Sequence, residues 1–180
     1  MGKPRSGRAG DAGDALPAAE AVVGLGANEG ETIAALAAAR HALAALPDTT
    51  LAAASSLYRT APIGREDQPD FLNGVCLLKT RLAPEVLAQA LFDLERTLGR
   101  VRTGVRNGPR VIDIDLLYYE GVVRDEPALT LPHPRLHERA FVLYPWAEIM
   151  PGFRIPGRGA LSDLCRVVQD QRVERLETKW

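Results

Sequence analysis

Two aspartates separated by a single residue, Asp113 and Asp115, suggest chemistry more clearly than any other pair in this sequence. They lie in the apolar run 111–119, the clearest strand pattern in the chain. Alternate side chains of a strand share one face, about 6.6 Å apart along the backbone, so both carboxylates project together. Oxygen ligands with no Cys or His nearby in sequence suit Mg²⁺. Two ions about 3.5–4 Å apart would serve phosphoryl or nucleotidyl transfer.

A loop rich in arginine and glycine, residues 99–110, leads directly into this strand. Guanidinium groups bind phosphate oxygens in a bidentate fork, and glycines let a backbone close over a ligand. Metal-binding acids beside arginines favour a site for a polyphosphate with Mg²⁺. Two simpler interpretations stay open. The aspartates can face water on a half-exposed strand, and the arginines can be solvated or paired with those aspartates.

A flat organic substrate would need polar and aromatic side chains, and the candidates are Thr60, Phe71, Asn73 and Phe141. The Asn73 amide offers both a donor and an acceptor to the edge of a heterocycle, and two phenyl rings can enclose a bicyclic ring. Taken alone, each of these residues is more often a core or turn residue. His133 and Arg139 follow in a segment that could add charge to a phosphate site.

The elements that must position these residues follow the order strand, helix, strand, strand, helix, strand. The predicted strands are 21–25, 50–59, 71–80 and 111–119, and glycines at 24, 26 and 30 suggest a tight turn after the first. The first helix has an apolar stripe of Ile33, Leu36, Leu43 and Leu46. The second helix begins at Pro84, ends at Gly99, and has a stripe of Leu87, Leu91, Leu94 and Leu98.

This order predicts an α+β fold, a ferredoxin-like βαββαβ antiparallel sheet with both helices on one face. Short helices near 137–149 and 160–169 would flank that core. A chain of 180 residues suits one domain. We expect residues 20–180 to form it and residues 1–19 to be a disordered leader.

Composition argues against several partners. The 22 basic and 23 acidic residues give a net charge of −1, without the basic excess that general nucleic-acid binding needs. No apolar stretch approaches the ~20 residues that span a bilayer. Cys76 and Cys165 have no metal-ligand spacing, and Cys76 in an apolar run indicates a buried thiol in a reducing compartment. We therefore expect a cytoplasmic protein that binds neither membrane nor nucleic acid.

The segment 106–117, Arg-Asn-Gly-Pro-Arg-Val-Ile-Asp-Ile-Asp-Leu-Leu, resembles the signature of the 6-hydroxymethyl-7,8-dihydropterin pyrophosphokinase family. The resemblance runs from about Val22 to the end of the chain. It includes four further motifs at matching spacings: 24–28, 55–60, 67–73 and 131–134.

We expect a monomer. The resemblance implies an enzyme that transfers pyrophosphate from ATP to the pterin, with two Mg²⁺ ions. The pterin hydroxymethyl oxygen would attack the β-phosphorus, and AMP would leave. Asp113 and Asp115 would hold the metals. Arg102 and Arg110 would neutralise the triphosphate, and the nucleotide would also meet His133, Arg139 and Glu95. Thr60 and Asn73 would bind the pterin edge, Phe71 and Phe141 its faces, and loops 60–70 and 99–110 would act as lids.

Three positions depart from the family pattern. Ala61 stands where many members have proline, Pro134 where some have an aromatic residue, and Asn107 where some have tryptophan. None belongs to the aspartate pair, so we expect altered constants and the same chemistry. Two other functions stay open: a palm-type nucleotidyl transferase or cyclase, and a non-catalytic ferredoxin-like module that binds an anion. Metal dependence separates the module from both enzymes, and pterin dependence separates the enzymes.

Overall fold

The computed structural model of the chain describes residues 17–62, 64, 67–100 and 108–180. The elements of the main sheet and its first two helices are β1 Ala19–Ala27, α1 Thr32–Ala44, β2 Thr49–Ala54, β3 Tyr58–Thr60, β4 Phe71–Thr80, α2 Pro84–Thr97 and β5 Asp113–Tyr119. The remainder consists of β6 Arg124–Glu126, β7 Leu129–Leu131, a 3-10 turn Leu136–Glu138, α3 Ala140–Ile149, β8 Arg154–Ile155, β9 Gly159–Ala160, α4 Leu161–Val167 and β10 Val173–Arg175.

The main sheet is antiparallel, with β1 between β4 and β5. Its order is β10-β3-β4-β1-β5, and β2 also pairs with β4. In this register Gly26 lies opposite both Asn73 and Asp113, and Gly24 lies opposite Asp115. Because directly opposed residues of a sheet share a face, the aspartates and Asn73 point to the same side.

The two faces of the sheet carry different helices. Helices α1 and α2 cover one face, where Val23, Ile114 and Leu116 belong to the packed core. Helices α3 and α4 belong to the cluster on the other face, which includes Val22 and Leu117. The predicted alternation of Asp113 and Asp115 with apolar residues is therefore confirmed. Its apolar side chains anchor β5 against α2, while the carboxylates face the α3 side.

Several predicted boundaries were wrong. The expected strand 50–59 is two strands, because the Ser55 hydroxyl accepts the Val75 N–H and interrupts the ladder along β4. Gly24 and Gly26 lie within β1 and not in a turn, whereas Gly30, with φ of 68°, does form one. In α1, Leu36, Ala39 and Leu43 are buried, whereas Ile33 is 40% exposed. The stripe that packs on the sheet thus begins one turn later than predicted.

The other elements lie close to their predicted positions. The strand 71–80 and the helix starting at Pro84 match, and Gly99 follows α2 with φ of 95°. The short C-terminal helices begin at Ala140 and Leu161. Strand β1 begins at Ala19, the last residue of the predicted leader, and residues 1–16 lie outside the described part of the chain. No described helix is long and apolar enough to cross a membrane.

Candidate active site

A cleft on the α3 side of the sheet has β1 as its floor. We call it the first cavity; its volume is about 210 Å³, and it is lined by residues that include Gly26, Thr60, Phe71, Asn73, Arg110, Arg139 and Phe141. A Cβ atom at Gly26 would lie 2.9 Å from the Asn73 side-chain oxygen, closer than real Cβ contacts. The close approach of the Asn73 side chain thus favours glycine here. Because Gly26 has no side chain, the cavity floor between Asn73 and Asp113 stays open.

A second cavity, of about 390 Å³, lies towards α2 and the segment 127–134. Its walls include Leu91, Phe92, Glu95, Arg100, Leu129 and His133. Asp113 and Asp115 line both cavities. The aspartate pair therefore stands where two separate ligands would meet.

Asp113 is held by two arginines. Arg100 Nη1 donates to Asp113 Oδ1, and Arg110 Nη1 donates to Asp113 Oδ2 at 2.5 Å. Burial favours the protonated form of Asp113, but the charges of Arg110 and Arg100 outweigh it and hold the pKa below its usual range. Asp113 is therefore a carboxylate whose charge is already balanced by guanidinium groups.

Glu95, on α2, connects this pair to the helix. Its Oε1 accepts from Arg100 Nη1 at 2.6 Å and from the backbone N–H of Ile114 at 2.7 Å. Glu95 is only 4% exposed. Burial raises its pKa, and the Ile114 amide and the Arg100 charge oppose that shift only in part. Glu95 thus fixes both the arginine and the strand that carries the aspartates.

Asp115 has a different environment from its neighbour. Burial and the charge of Asp113 raise the pKa of Asp115 to about 7, against the opposing charge of Arg139. No described residue forms an ion pair with the Asp115 carboxylate within 4.0 Å. A half-buried carboxylate beside a second carboxylate favours an additional cation, since a positive charge relieves both penalties.

Thr60 and Asn73 form a neutral pair at the opposite end of the first cavity. Both are 4% exposed, and Asn73 Nδ2 donates to Thr60 Oγ1 at 2.8 Å. This bond leaves the Asn73 side-chain oxygen as an acceptor and the Thr60 hydroxyl hydrogen as a donor. The pair can therefore offer both kinds of hydrogen bond to the edge of a heterocycle.

The two predicted stacking rings lie in the same cavity, each under an arginine. The Arg110 Cζ is 5.6 Å from the centre of the Phe71 ring, and the Arg139 Cζ is 5.5 Å from that of Phe141. Both distances fall in the range of cation–π contacts. An arginine therefore covers one face of each ring. A flat ligand would have to stack on the other face or displace the arginine.

His133 lies in the wall of the second cavity. Its backbone N–H donates to the Leu117 carbonyl at 2.8 Å, which ties the segment to β5. Its Nδ1 accepts the Arg135 N–H at 3.3 Å. Burial, with the charges of Arg139 and Arg135, lowers the pKa of His133 to about 4. The imidazole is therefore neutral at pH 7 and able to donate from Nε2.

The structure brings ten of the eleven predicted site residues to these two cavities. Those in the first cavity are Thr60, Phe71, Asn73, Arg110, Asp113, Asp115, Arg139 and Phe141, and Glu95 and His133 join the aspartates in the second. Arg110 and Arg139, expected at the nucleotide, thus lie beside the pterin candidates. Arg102 lies outside the described residues, as does Asn107.

Two residues at the site were missed by the sequence reasoning. Arg100 is the arginine that joins Glu95 to Asp113. Asn28 accepts the Arg110 N–H at 2.9 Å and donates to Gln68 at 3.0 Å and to the Pro69 carbonyl at 3.1 Å. The sequence did contain a signal for Arg100, since this residue lies in the arginine-rich loop 99–110. Asn28 ends the motif 24–28, but that motif did not indicate its role, since its partners are 40 to 82 residues away.

The donor set fits Mg²⁺ bound together with a phosphate ligand. Among the described residues, no group of three or more His, Cys, Asp or Glu side chains could enclose a metal ion. Mg²⁺ in phosphate-transfer sites is held by one or two carboxylates and completed by phosphate oxygens and water. Asp113 and Asp115 supply such a pair, with oxygen donors alone.

Comparisons with known proteins point to one family. A family sequence model described as 7,8-dihydro-6-hydroxymethylpterin-pyrophosphokinase (HPPK) matches residues 22–151. The 2-amino-4-hydroxy-6-hydroxymethyldihydropteridine pyrophosphokinase of Pseudomonas aeruginosa is 43% identical over 154 residues, covering 86% of this chain and 94% of the relative. That of Methylorubrum extorquens is 45% identical over 157 residues, covering 87% and 98%.

Solved structures share the fold at low identity. The crystal structure of an HPPK-DHPS in complex with substrates matches with a TM-score of 0.67 and 12% identity, over 91% of this chain and 47% of that one. Wild-type Plasmodium falciparum HPPK-DHPS with STZ-DHP matches with a TM-score of 0.61 and 14% identity, over 86% and 42%. The chain thus spans about half the length of these structures. With the family model matching most of its length, this chain belongs to the HPPK family.

Proposed function

We propose that this protein transfers pyrophosphate from ATP to 6-hydroxymethyl-7,8-dihydropterin and releases AMP, a step of folate biosynthesis. Family membership supports the reaction, since the relatives with 43% and 45% identity carry the name of this pyrophosphokinase. The observation that carries the proposal is that two cavities of different character share one pair of aspartates. A reaction between two substrates needs such a meeting point.

The first cavity is the proposed pterin site. Thr60 and Asn73 would bind the polar edge of the pterin, because they present a buried acceptor and a buried donor in fixed positions. Phe71 and Phe141 would cover its ring faces. The low floor at Gly26 leaves room for a flat ring between Asn73 and Asp113.

The second cavity is the proposed nucleotide site. Its apolar wall, which includes Leu91, Phe92 and Leu129, suits a base, and His133 would donate a hydrogen bond to it or to a phosphate. Asp113 and Asp115 would hold two Mg²⁺ ions, which when bound neutralise developing charge and align the triphosphate. Glu95 would act through Arg100 and the Ile114 amide, as a support for the aspartate strand.

The arginines around Asp113 would change partners when ATP binds. Arg100 and Arg110 now balance the Asp113 charge. A triphosphate offers the same guanidinium groups more acceptor oxygens, in the bidentate geometry that arginine prefers. Arg110 and Arg139 lie in the first cavity, close enough to the aspartates to bind the β- and γ-phosphates at the transfer point. Arg102 stays a prediction for the same role.

Catalysis in this proposal rests on alignment and charge neutralisation. The pterin hydroxymethyl oxygen would bond to the β-phosphorus while the bond from that phosphorus to the bridging oxygen of the α-phosphate breaks. AMP would leave with the bridging oxygen, and the hydroxyl proton would pass to solvent or to a nearby base. Holding both substrates at one pair of carboxylates converts a bimolecular reaction into an aligned one. Loops 60–70 and 99–110 would exclude water, which otherwise competes as a nucleophile.

The architecture belongs to the same proposal. We propose a ferredoxin-like core, supported by the order β5-β1-β4 with β2 and β3 on the far side of β4 and by helices α1 and α2 on one face. Residues 20–180 would form one domain. A monomer in the cytoplasm, without nucleic acid as a partner, stays a prediction.

The test is an ATP-consumption assay with Mg²⁺, with and without the hydroxymethyl-pterin, in which the released nucleotide is identified. The proposal expects AMP and pyrophosphorylated pterin, both dependent on pterin and abolished by EDTA. Release of ADP would mean attack on the γ-phosphorus and a different reaction. A folded protein that binds ATP but turns over nothing would leave the anion-binding module as the function.

A further inference from the structure

The side-chain amide of Gln171 holds the backbone on both sides of Arg139. Gln171 Oε1 accepts the Ala140 N–H at 2.9 Å, and Gln171 Nε2 donates to the Glu138 carbonyl at 2.8 Å. Arg139 lies between these two residues, in an extended conformation with φ of −122° and ψ of 105°. A single side chain thus fixes the peptide before Arg139 and the peptide after it.

Without Gln171, the Ala140 N–H at the start of α3 would lose this acceptor. Arg139 is the N-cap of α3, and its side chain makes no capping hydrogen bond. The first N–H groups of a helix have no acceptor within the helix. Glutamine can satisfy the Ala140 N–H and the Glu138 carbonyl together because its amide carries both a donor and an acceptor. The Arg139 side chain is then free of a capping role and lines the first cavity.

Gln171 is itself anchored to the strands of the first cavity. Its own N–H donates to the Val168 carbonyl at 3.1 Å. The next residue, Arg172, contacts Asp70 at 2.5 Å, immediately before Phe71. Val173 then pairs with Thr60 in the β10–β3 ladder. The segment 171–173 therefore connects Arg139 to the two strands that carry Thr60, Phe71 and Asn73.

We propose that Gln171 is a positioning residue that aims Arg139 at the aspartate pair, a role that rests on the function proposed above. Gln171 lies outside residues 22–151, the part matched by the family model. Arg139 contributes to the electrostatic environment of Asp115 and covers the Phe141 ring. A displacement of its backbone would therefore move a guanidinium group relative to the transfer point.

The test compares two substitutions of similar size. Gln171→Met removes the donor and the acceptor, whereas Gln171→Glu keeps the acceptor for Ala140 and loses the donor to Glu138. We expect kcat/KM for ATP to fall on the order of tenfold in Gln171→Met, because small displacements of a positioning group reduce alignment. Gln171→Glu should not recover that loss, because its second carboxylate oxygen would face the Glu138 carbonyl, acceptor against acceptor. Arg166→Gln, which removes an exposed contact with Asp163 on α4, is the control and should match the wild type.

A double-mutant cycle with Arg139→Ala separates positioning from general stability. In the Arg139→Ala background, Gln171→Met should change kcat/KM by less than about twofold, because the group it positions is gone. An equal tenfold loss in both backgrounds would overturn the proposal, as would wild-type activity in Gln171→Met. Thermal unfolding shows that each variant is folded at the assay temperature. An inactive wild type would refute the proposed function instead, and hydrogen exchange at the Ala140 amide would then decide whether Gln171 clamps this turn.

Discussion

The Thr60–Asn73 pair and the Glu95–Arg100–Asp113 network stand on opposite sides of the site and are built differently. The pair is neutral, and its buried members hydrogen-bond to each other at one end of the first cavity. The network consists of charges that balance one another, with Arg100 between two carboxylates. The neutral pair keeps its hydrogen bond without a ligand and has a donor and an acceptor left for one. In the charged network, an added cation or anion would compete for the existing ion pairs.

This difference matches the two proposed substrates. A neutral heterocycle needs donors and acceptors that already stand in place, since ordering them on binding reduces affinity. A magnesium triphosphate brings charge of both signs, and the arginines that now hold Asp113 can move to it. We therefore expect changes in the neutral pair to act mainly on pterin binding. Changes in the network should act on catalysis, ATP binding and stability together.

Asp115→Asn should have the largest effect. It removes one of the two proposed metal-binding carboxylates, and charge stabilisation of several kcal/mol corresponds to a loss of roughly 10³-fold in kcat/KM. Asp93→Asn on the exposed side of α2 is the matched control. Steady-state kinetics at saturating Mg²⁺ measures both. A loss smaller than about tenfold would remove Asp115 from the proposed metal site.

The same substitution should stabilise the protein in EDTA. The pKa of folded Asp115 is about 7, above the usual value of 3.8, so between these pH values the folded state binds more protons than the unfolded state. Stability therefore falls as pH rises through this window. Asparagine has no such proton, so at pH 7.5 we expect the variant to gain on the order of 1–2 kcal/mol after solvent screening. Urea unfolding at pH 5 and pH 7.5 compares the two proteins.

Arg100→Met tests whether the network is held by its central charge. The change removes one partner of Glu95 and leaves Arg110 as the arginine that contacts Asp113 in the described part of the chain. Buried carboxylates without a counter-charge are costly, and we expect the free energy of unfolding to fall by about 1–3 kcal/mol. Arg100→Lys should restore part of it, since lysine supplies charge without the planar fork.

The control for this change is Arg96→Met. Arg96 contacts Asp93 at 3.7 Å with both side chains more than half exposed. We expect its removal to alter stability by less than about 0.5 kcal/mol. Equal effects of Arg96→Met and Arg100→Met in urea unfolding would mean that the Glu95–Arg100–Asp113 network is no stronger than a surface pair.

Thr60→Val tests the neutral pair. Valine has nearly the same shape but takes away the acceptor of the Asn73 amide. We expect KM for the pterin to rise about tenfold while KM for ATP changes less than about twofold, because an unpaired buried donor no longer holds Asn73 in place. Thr97→Val on α2 is the control, since the Thr97 hydroxyl donates to the Asp93 carbonyl of its own helix, away from both cavities. Equal changes in the two KM values would contradict the assignment of the cavities.

Much of the sheet could be predicted because its strands alternate clearly. The run 111–119 places Ile114 and Leu116 in the core and the aspartates on the other face. The division of the predicted strand 50–59 into β2 and β3 could not be predicted, because it depends on a hydrogen bond between Ser55 and Val75, 20 residues away. The prediction that Ile33 belongs to the buried stripe of α1 was wrong for a similar reason. Helical period shows which residues share a stripe, but not where the sheet beneath it ends.

The site could be predicted only where residue type carries the signal. Asp113 and Asp115 have the spacing of a metal pair, and the family motifs indicated Thr60 and Asn73. Asn28 and Gln171 act through backbone groups that are 31 to 82 residues distant. A side chain that binds backbone leaves no complementary residue in the sequence to find. The roles of such residues become evident only in the three-dimensional structure, even in a family whose chemistry is evident.

His133→Asn should have the smallest effect on stability. It tests whether the second cavity accommodates a positive charge on His133. The pKa of folded His133 is about 4, below the usual 6.5, so between these values the unfolded state binds the proton and the folded state does not. Stability is then full above pH 6.5 and declines as pH falls towards 4. Asparagine does not titrate, so His133→Asn removes this pH dependence of stability. From pH 7.5 to 5, we expect the wild type to lose up to about 1 kcal/mol relative to His133→Asn in urea unfolding, after allowance for partial exposure. Parallel pH profiles would mean that His133 protonates freely in the folded state, and the wall of the second cavity would then resemble the charged network rather than the neutral pair.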